Sequence, residues 1–194
     1  MTENEKQEAG YLYRPSPEME AHRFKIQDAI DDYNKLKPSA VKERAEFLKG
    51  ILGKVGKNVN ILPPFKCDYG YHIELGDNFF ANYNFIVLDG NYVRIGDNVW
   101  IAPNVGIYAA GHPFDREERI NGLEYAFPVT IGDNVWIGGG VSIIGGVTIG
   151  KDSIIGAGSV VIRDIPEGVL AAGNPCRVIR KLTPEDKDKY IHAE

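Results

Sequence analysis

The chain has 194 residues and a formal net charge of −5, with 43% apolar and 25% charged side chains. That balance suits one soluble globular unit with appendages and excludes a disordered chain. The acidic excess excludes a basic nucleic-acid-binding domain and polybasic attachment to a membrane, and the 22 glycines do not recur at every third residue as collagen requires.

Residues 1–55 carry 10 acidic and 10 basic side chains, so the excess lies further along. The opening MTENEKQEAG lacks the apolar core of a secretory signal, and a cytoplasmic protein is expected. Residues 16–52 read as two helices. Ser16 supplies an N-cap and Pro17 suits the first helical position. Met19, Phe24, Ile26, Ile30, Tyr33 and Leu36 fall roughly on one side, until Lys37-Pro38 stops the helix. Ser39 opens the second helix, which buries Val41, Ala45, Phe47, Leu48 and Leu52 and ends at Gly50 and Gly53.

From about residue 55 to 170 the chain repeats every six residues. Ile95, Ile101 and Ile107 form one run. Ile131, Ile137, Ile143, Ile149, Ile155 and Val161 form a second run in the same phase. A small residue often follows, as at Gly96, Ala102, Gly132, Gly138, Gly150 and Gly156. Upstream, Val55, Ile61 and Cys67 keep the step, and Leu75, Ala81 and Val87 keep it after a two-residue slip. A period of six fits neither a helix nor an amphipathic strand. It is a signature of a parallel β-helix, in which three hexapeptides make one triangular coil. The aliphatic side chains point inward and stack between coils about 4.8 Å apart. No coil buries its own face, so stacking supplies the stability. Of the 22 glycines, 20 lie between Gly53 and Gly173, where sharp corners are expected.

The rhythm breaks across GHPFDREERINGLEYAFP and resumes in phase at Val129. Residues 111–128 are therefore expected to leave the coil as a loop, where function gathers on repeat scaffolds. The most apolar stretch, VSIIGGVTIG at 141–150, is too short to span a bilayer. Ile165-Pro166 ends the repeats, and Thr183-Pro184-Glu185-Asp186 reads as a capped helix start. The expected division is an N-terminal helical segment (1–54), the β-helix (55–170), and a C-terminal cap and tail (171–194). Cys67 and Cys176 fit no disulfide framework or metal spacing and are expected to be buried thiols.

Seven segments narrow the reading: PPFKCDYGYHIELG (63–76), FFANYNFIVLDG (79–90), IGDNVWIAPNV (95–105), GHPFDREER (111–119), IGDNVWIGGGVSIIGGVTIG (131–150), IGAGSVVIRDIP (155–166) and GNPCRVIRKL (173–182). From about Gly10 to Leu182 the chain resembles the maltose and galactoside O-acetyltransferases, which are hexapeptide-repeat acyltransferases. CDYG at 67–70 and GLE at 122–124 lean toward the maltose type. The resemblance implies a mainly β fold, a left-handed parallel β-helix with N-terminal helices and a short C-terminal cap. It also implies a homotrimer with active sites between subunits, acetyl-CoA as donor, no metal, and transfer to a sugar hydroxyl of maltose or glucose type.

Such a transfer needs an alcohol proton removed while the oxygen attacks a thioester. Imidazole suits that task. His112, at the root of the loop, matches the family's catalytic histidine. By the same resemblance Asn82 belongs to the active site, Asp68 hydrogen-bonds sugar hydroxyls, and Arg23 lies on the acceptor side. Glu124 either orients His112 or contacts the sugar. A backbone amide, that of Gly139, supplies the oxyanion donor. Trp136, Ala157 and Gly158 flank the pantetheine arm, and Arg163, Arg177 and Arg180, with Lys181, hold the phosphates of coenzyme A. Trp100 reads as scaffold or trimer contact, His22 and His192 as solvated, and His72 as a lesser candidate for substrate contact.

Relatives carry an aspartate soon after the LYR-like run, where this chain has Arg14-Pro15-Ser16-Pro17. That departure leaves sugar specificity open. Three alternatives stand beside the sugar reading. One is a different hydroxyl acceptor, such as a galactoside, an antibiotic or serine. Another is a γ-carbonic-anhydrase-like zinc enzyme, for which four scattered histidines give no ligand set. The last is a non-catalytic binding module.

Overall fold

The aliphatic rhythm folds as a parallel β-helix with three faces. A computed structural model describes residues 1–190, and His192 lies outside the described residues. The first face stacks Lys54–Val55, Ile73–Leu75, Val93–Ile95, Val129–Ile131 and Thr148–Ile149. The second stacks Asn60–Ile61, Phe80–Ala81, Trp100–Ile101, Trp136–Ile137, Ile154–Ile155 and Val169–Ala172, and Arg177–Lys181 adds antiparallel at its end. The third stacks Phe65–Cys67, Phe85–Leu88, Gly106–Tyr108, Ser142–Ile144 and Val160–Val161. The six-residue positions share register. Leu75, Ile95, Ile131 and Ile149 pair along the first face. Ile61, Ala81, Ile101, Ile137, Ile155 and Ala171 pair along the second. Cys67, Val87, Ile107, Ile143 and Val161 pair along the third. All of them are buried, as is Cys176. Burying an aliphatic side chain of this size contributes about 1.5–3 kcal/mol, so these columns hold the coils together.

The corners rest on more than glycine. At the edge between the first and second faces, Asn58, Asn78, Asn98, Asn134 and Asp152 take left-handed φ angles of 56–59°. Asparagine and aspartate tolerate that region. Each asparagine amide also donates to the next side chain in the column at 2.8–3.0 Å. Asp77, Asp97 and Asp133 accept the N–H groups of Lys57, Asp77 and Asp97 one coil before. The recurring Gly-Asp-Asn triplet thus builds two ladders. Its glycine is needed for close approach: a Cβ on Gly132 would lie 2.6 Å from the Lys151 nitrogen.

Among the described residues four α-helices decorate the coil: α1 (Glu3–Glu8), α2 (Pro17–Asn34), α3 (Val41–Lys49) and α4 (Arg116–Ile120). Ser16 caps α2 by accepting the Met19 N–H at 3.3 Å. Met19, Ile26, Ile30 and Tyr33 are buried, but Phe24 is 60% exposed. At about 100° per residue Phe24 points well away from that stripe. The start of α3 is also corrected. Its N-cap is Ala40, without a side-chain cap, so Ser39 does not open it. Val41 is exposed, while Arg44 is buried and bonds the Lys37 carbonyl at 2.7 Å and Asn60 Oδ1 at 2.6 Å. Gly50 closes α3 in a right-handed conformation. Gly53 is forced by contact, since a Cβ there would strike the Tyr71 carbonyl.

The break in the repeat is an ejected excursion. Ala110–Gly111 pairs antiparallel with Tyr125–Ala126, α4 sits between them, and Val129 resumes directly on Val93. At the far end Pro184–Lys189 is a 3₁₀ helix, with the Thr183 N–H donating to Asp186 Oδ2 at 2.9 Å.

Candidate active site

His112 follows the strand Ala110–Gly111, at the edge between the third and first faces. Its ring is exposed, and Nδ1 lies 3.3 Å from the Leu123 carbonyl on the returning arm. A carbonyl oxygen only accepts, so Nδ1 carries the hydrogen and Nε2 is left as a base. The loop is braced from within. Asp115 caps α4, accepting the N–H groups of Glu117 and Glu118 at 2.9 Å. Arg119 donates to the carbonyls of Pro113 and Phe114 at 2.9 and 3.1 Å.

Glu124 neighbours Leu123 and is gripped from the N-terminus. The buried Tyr13 hydroxyl donates to Glu124 Oε2 at 2.8 Å, and their backbones form an antiparallel bridge. Asp68 lies on the same edge, two coils away from the loop root. Burial raises its pKa above the ordinary carboxylate value, Arg23 pulls it back, Glu124 raises it further, and Gln27 donates to it. Four sequence candidates, His112, Glu124, Asp68 and Arg23, therefore converge on one edge. Behind Asp68 stands Asp89, which is buried and accepts the N–H groups of Asp68 and Tyr69 at 2.9 Å each. Burial pushes Asp89 up to about 7, against the pull of those two amides. Tyr13 and Asp89 had no signal of their own in the sequence, because their partners lie far away along the chain.

A second group occupies a different edge, between the second and third faces. Asn82 bonds the Ile101 carbonyl through its N–H at 2.9 Å, and its Oδ1 accepts the Tyr83 N–H at 2.8 Å. Gly139, Ala157 and Gly158 stand along the same edge. Gly138 and Gly140 use their N–H groups on Ile155 and Pro103 at 2.8 and 2.9 Å. The Gly139 N–H between them makes no hydrogen bond among the described residues. The left-handed corner position here is asparagine at 84 and 104 but glycine at 140 and 158. The side chain is thus missing from the corner where a ligand arm is expected, and a Cβ on Gly158 would meet nothing within 4 Å. Trp136 pairs in register with Trp100 on the second face, and both are exposed.

The structure divides the expected arginine cluster. Arg163 lies beyond the third face, while Arg177 and Arg180 stand on the terminal strand of the second. Arg177 is exposed. Arg180 makes a two-armed pair with Asp186 at 2.8 and 2.6 Å, so its fork is engaged within the cap.

The other two histidines among the described residues are structural. His22 is half-buried, with Nε2 3.1 Å from the Tyr69 carbonyl and its ring against Tyr71, so it is not solvated as expected. His72 is fully buried, with Nδ1 2.8 Å from the Asp89 carbonyl and Nε2 3.6 Å from Glu8. That position removes it from substrate contact. Among the described residues no group of three or more His, Cys, Asp or Glu side chains gathers to hold a metal ion, and no helix is long and apolar enough to cross a membrane.

The maltose acetyltransferase hexapeptide capping motif matches residues 6–56, and the bacterial transferase hexapeptide, six repeats, matches residues 128–163. A protein of Saccharomyces cerevisiae named provisionally as an acetyltransferase is 60% identical over 179 residues, which is 91% of each chain. The crystal structure of a maltose O-acetyltransferase from Clostridium difficile 630 is 48% identical, with a TM-score of 0.92 over 94% of this chain and 98% of that one. A galactoside acetyltransferase solved in complex with coenzyme A is 44% identical, with a TM-score of 0.94 over 99% of this chain and 96% of that one.

Proposed function

The chain belongs to the maltose and galactoside O-acetyltransferase family of hexapeptide-repeat acyltransferases, and from that premise we propose that it moves acetyl from acetyl-CoA to a hydroxyl of a maltose- or glucose-type sugar, with His112 as general base. Coenzyme A is present in the complex of a relative at 44% identity, which supports it as the co-substrate here.

The reaction follows from the residues. His112 Nε2 takes the hydroxyl proton as the sugar oxygen attacks the thioester carbonyl. The C–O bond forms, and the carbonyl oxygen gains negative charge. The unused Gly139 N–H is suited to hold that charge; one such donor lowers a barrier by about 2.7–4 kcal/mol. The intermediate collapses as the C–S bond breaks. The sulfur leaves with the proton from His112, giving the acetylated sugar and free CoA. Asp68, Arg23 and Glu124 orient the acceptor. Trp136, Ala157 and Gly158 line the pantetheine arm, and Arg163 and Arg177 draw the phosphates.

One observation carries the reading. The candidate residues fall on two edges that flank the third face. Asn82, Gly139, Ala157 and Gly158 lie on one, and His112, Glu124 and Asp68 on the other. A homotrimer closed around the third faces sets the first edge of one copy beside the second edge of its neighbour. That arrangement completes a site between subunits. The outward residues of the third face include Gly106, Ser142 and Val160, which suit close approach. In this reading residues 1–54 shape the acceptor side, 55–170 form the scaffold and arm groove, and 171–194 cap the coil. A cytoplasmic location fits the supply of acetyl-CoA.

The test is an acceptor panel of maltose, glucose, galactosides, a hydroxylated antibiotic and serine, read by release of free CoA. Acetylation of maltose or glucose above the other acceptors is expected. Preference for another acceptor would move the substrate assignment, and CoA binding without transfer to any acceptor would leave a binding module.

A further inference from the structure

Of the two carboxylates placed at the acceptor edge, Glu124 has the more freedom, with three rotatable side-chain bonds against two in Asp68. Resting on the reading above that Glu124 serves the acceptor, we propose that Tyr13 is a positioning residue for the transfer, fixing the Glu124 carboxylate through its hydroxyl.

The proton inventory sets the direction of that bond. A phenol has one proton to give and one oxygen that can accept. Gln7 Nε2 donates to the Tyr13 oxygen at 3.2 Å, so acceptance is already satisfied. The single Tyr13 proton goes to Glu124 Oε2, 2.8 Å away. Burial first, and the Glu124 charge next, hold the phenol protonated. Bonds to ionised groups are the stronger class. Glu124 Oε1 is left without a partner among the described residues and can meet an acceptor hydroxyl.

The main chain fixes the same pair. The Tyr13 N–H donates to the Glu124 carbonyl at 3.0 Å, and the Glu124 N–H returns to Tyr13 at 2.9 Å. The adjacent Leu123 carbonyl holds His112 Nδ1. Upstream, Gln7 sits at the end of α1, which Asn91 anchors by donating to the Gln7 and Glu8 carbonyls at 3.0 and 3.2 Å. The N-terminal segment thereby sets both the carboxylate and the backbone that steadies the base.

Steady-state kinetics of Tyr13→Phe, Glu124→Gln and the double variant test this, on each panel sugar that the wild type acetylates. Phenylalanine keeps the ring and its packing. The expected result for Tyr13→Phe is an acceptor KM raised about tenfold, with kcat and the acetyl-CoA KM within twofold of wild type. In the Glu124→Gln background the same change should add nothing. A merely structural role would lower the melting temperature and raise both KM values, and would act additively. The proposal is overturned if Glu124→Gln raises the acceptor KM but Tyr13→Phe does not, or if the two effects add. If Glu124→Gln itself leaves the acceptor KM unchanged, or no sugar is acetylated, the underlying reading fails and takes this proposal with it.

Discussion

Asp89 holds Asp68 in place: one buried carboxylate oxygen, Oδ1, accepts the backbone N–H groups of Asp68 and Tyr69 at 2.9 Å each. The other oxygen, Oδ2, is buried without a hydrogen-bond partner among the described residues. The turn that presents Asp68 to the acceptor edge is therefore organised by a carboxyl that pays a desolvation cost whenever it ionises.

That cost makes a pH prediction. Asp89 is pushed up to about 7 in the folded protein, whereas an unfolded aspartate titrates near about 3.9. Between those values the folded chain binds more protons than the unfolded one, so this group's stabilisation is present at low pH and is lost as pH rises through about 7. His72 has the opposite sign. Burial lowers its pKa below 6.5, so its contribution is lost as pH falls through that range. Asp89→Asn removes the first slope and leaves the second. Calorimetric melting at pH 5 and pH 8 should show the variant gaining on wild type at pH 8 far more than at pH 5. Equal shifts at both would dissociate Asp89 from the effect.

Two glycine substitutions separate contact from conformation. Gly132→Ala places a Cβ 2.6 Å from one backbone nitrogen and 2.9 Å from the Cα of Lys151, neither of which can move without shifting a coil. Overpacking of that kind typically costs about 1–3 kcal/mol. Gly158→Ala meets no atom within 4 Å but keeps a φ of +71°, so it carries only the left-handed penalty, about 1–2 kcal/mol. Denaturant melts should rank Gly132→Ala as the less stable of the two. The reverse order would mean that the coils relax more readily than their spacing allows.

The sequence disclosed the fold because inward positions repeat every six residues, and each isoleucine in the column has the same environment as the next. It pointed to His112 through the family resemblance, at the loop that interrupts that rhythm. It hid what depends on three-dimensional neighbours. The Asn58–Asn78–Asn98–Asn134 ladder looks like ordinary turn composition until the coils stack. Phe24 looked buried because it is apolar, yet it lies off the stripe of α2. Tyr13 and Glu124 are 111 residues apart, and no local pattern joins them. Arg180 is expected from the sequence to hold phosphate, yet the cap sets Asp186 against it.

His112→Ala tests the base. General-base catalysis typically contributes about 10²–10⁴-fold in rate. Turnover of the best panel sugar should fall by that order, while coenzyme A binding measured by calorimetry stays near wild type, because the arm groove lies on another edge. Retained turnover would remove His112 from the chemistry. Lost CoA binding would show instead that the loop shapes the donor site.

The division of the site between two edges makes the sharpest prediction. Asn82→Ala and His112→Ala are each expected to be nearly inactive alone. In a trimer whose sites take His112 from one copy and Asn82 from the next, mixing the two variants rebuilds some sites. After unfolding and refolding at equal amounts, a site has about one chance in two of an intact histidine and one in two of an intact asparagine. About a quarter of wild-type activity should return. If each chain carried a complete site, every subunit would still lack one of the two residues and mixing would restore nothing. The recovered fraction thus reads the assembly and the placement of Asn82 opposite His112 in a single measurement.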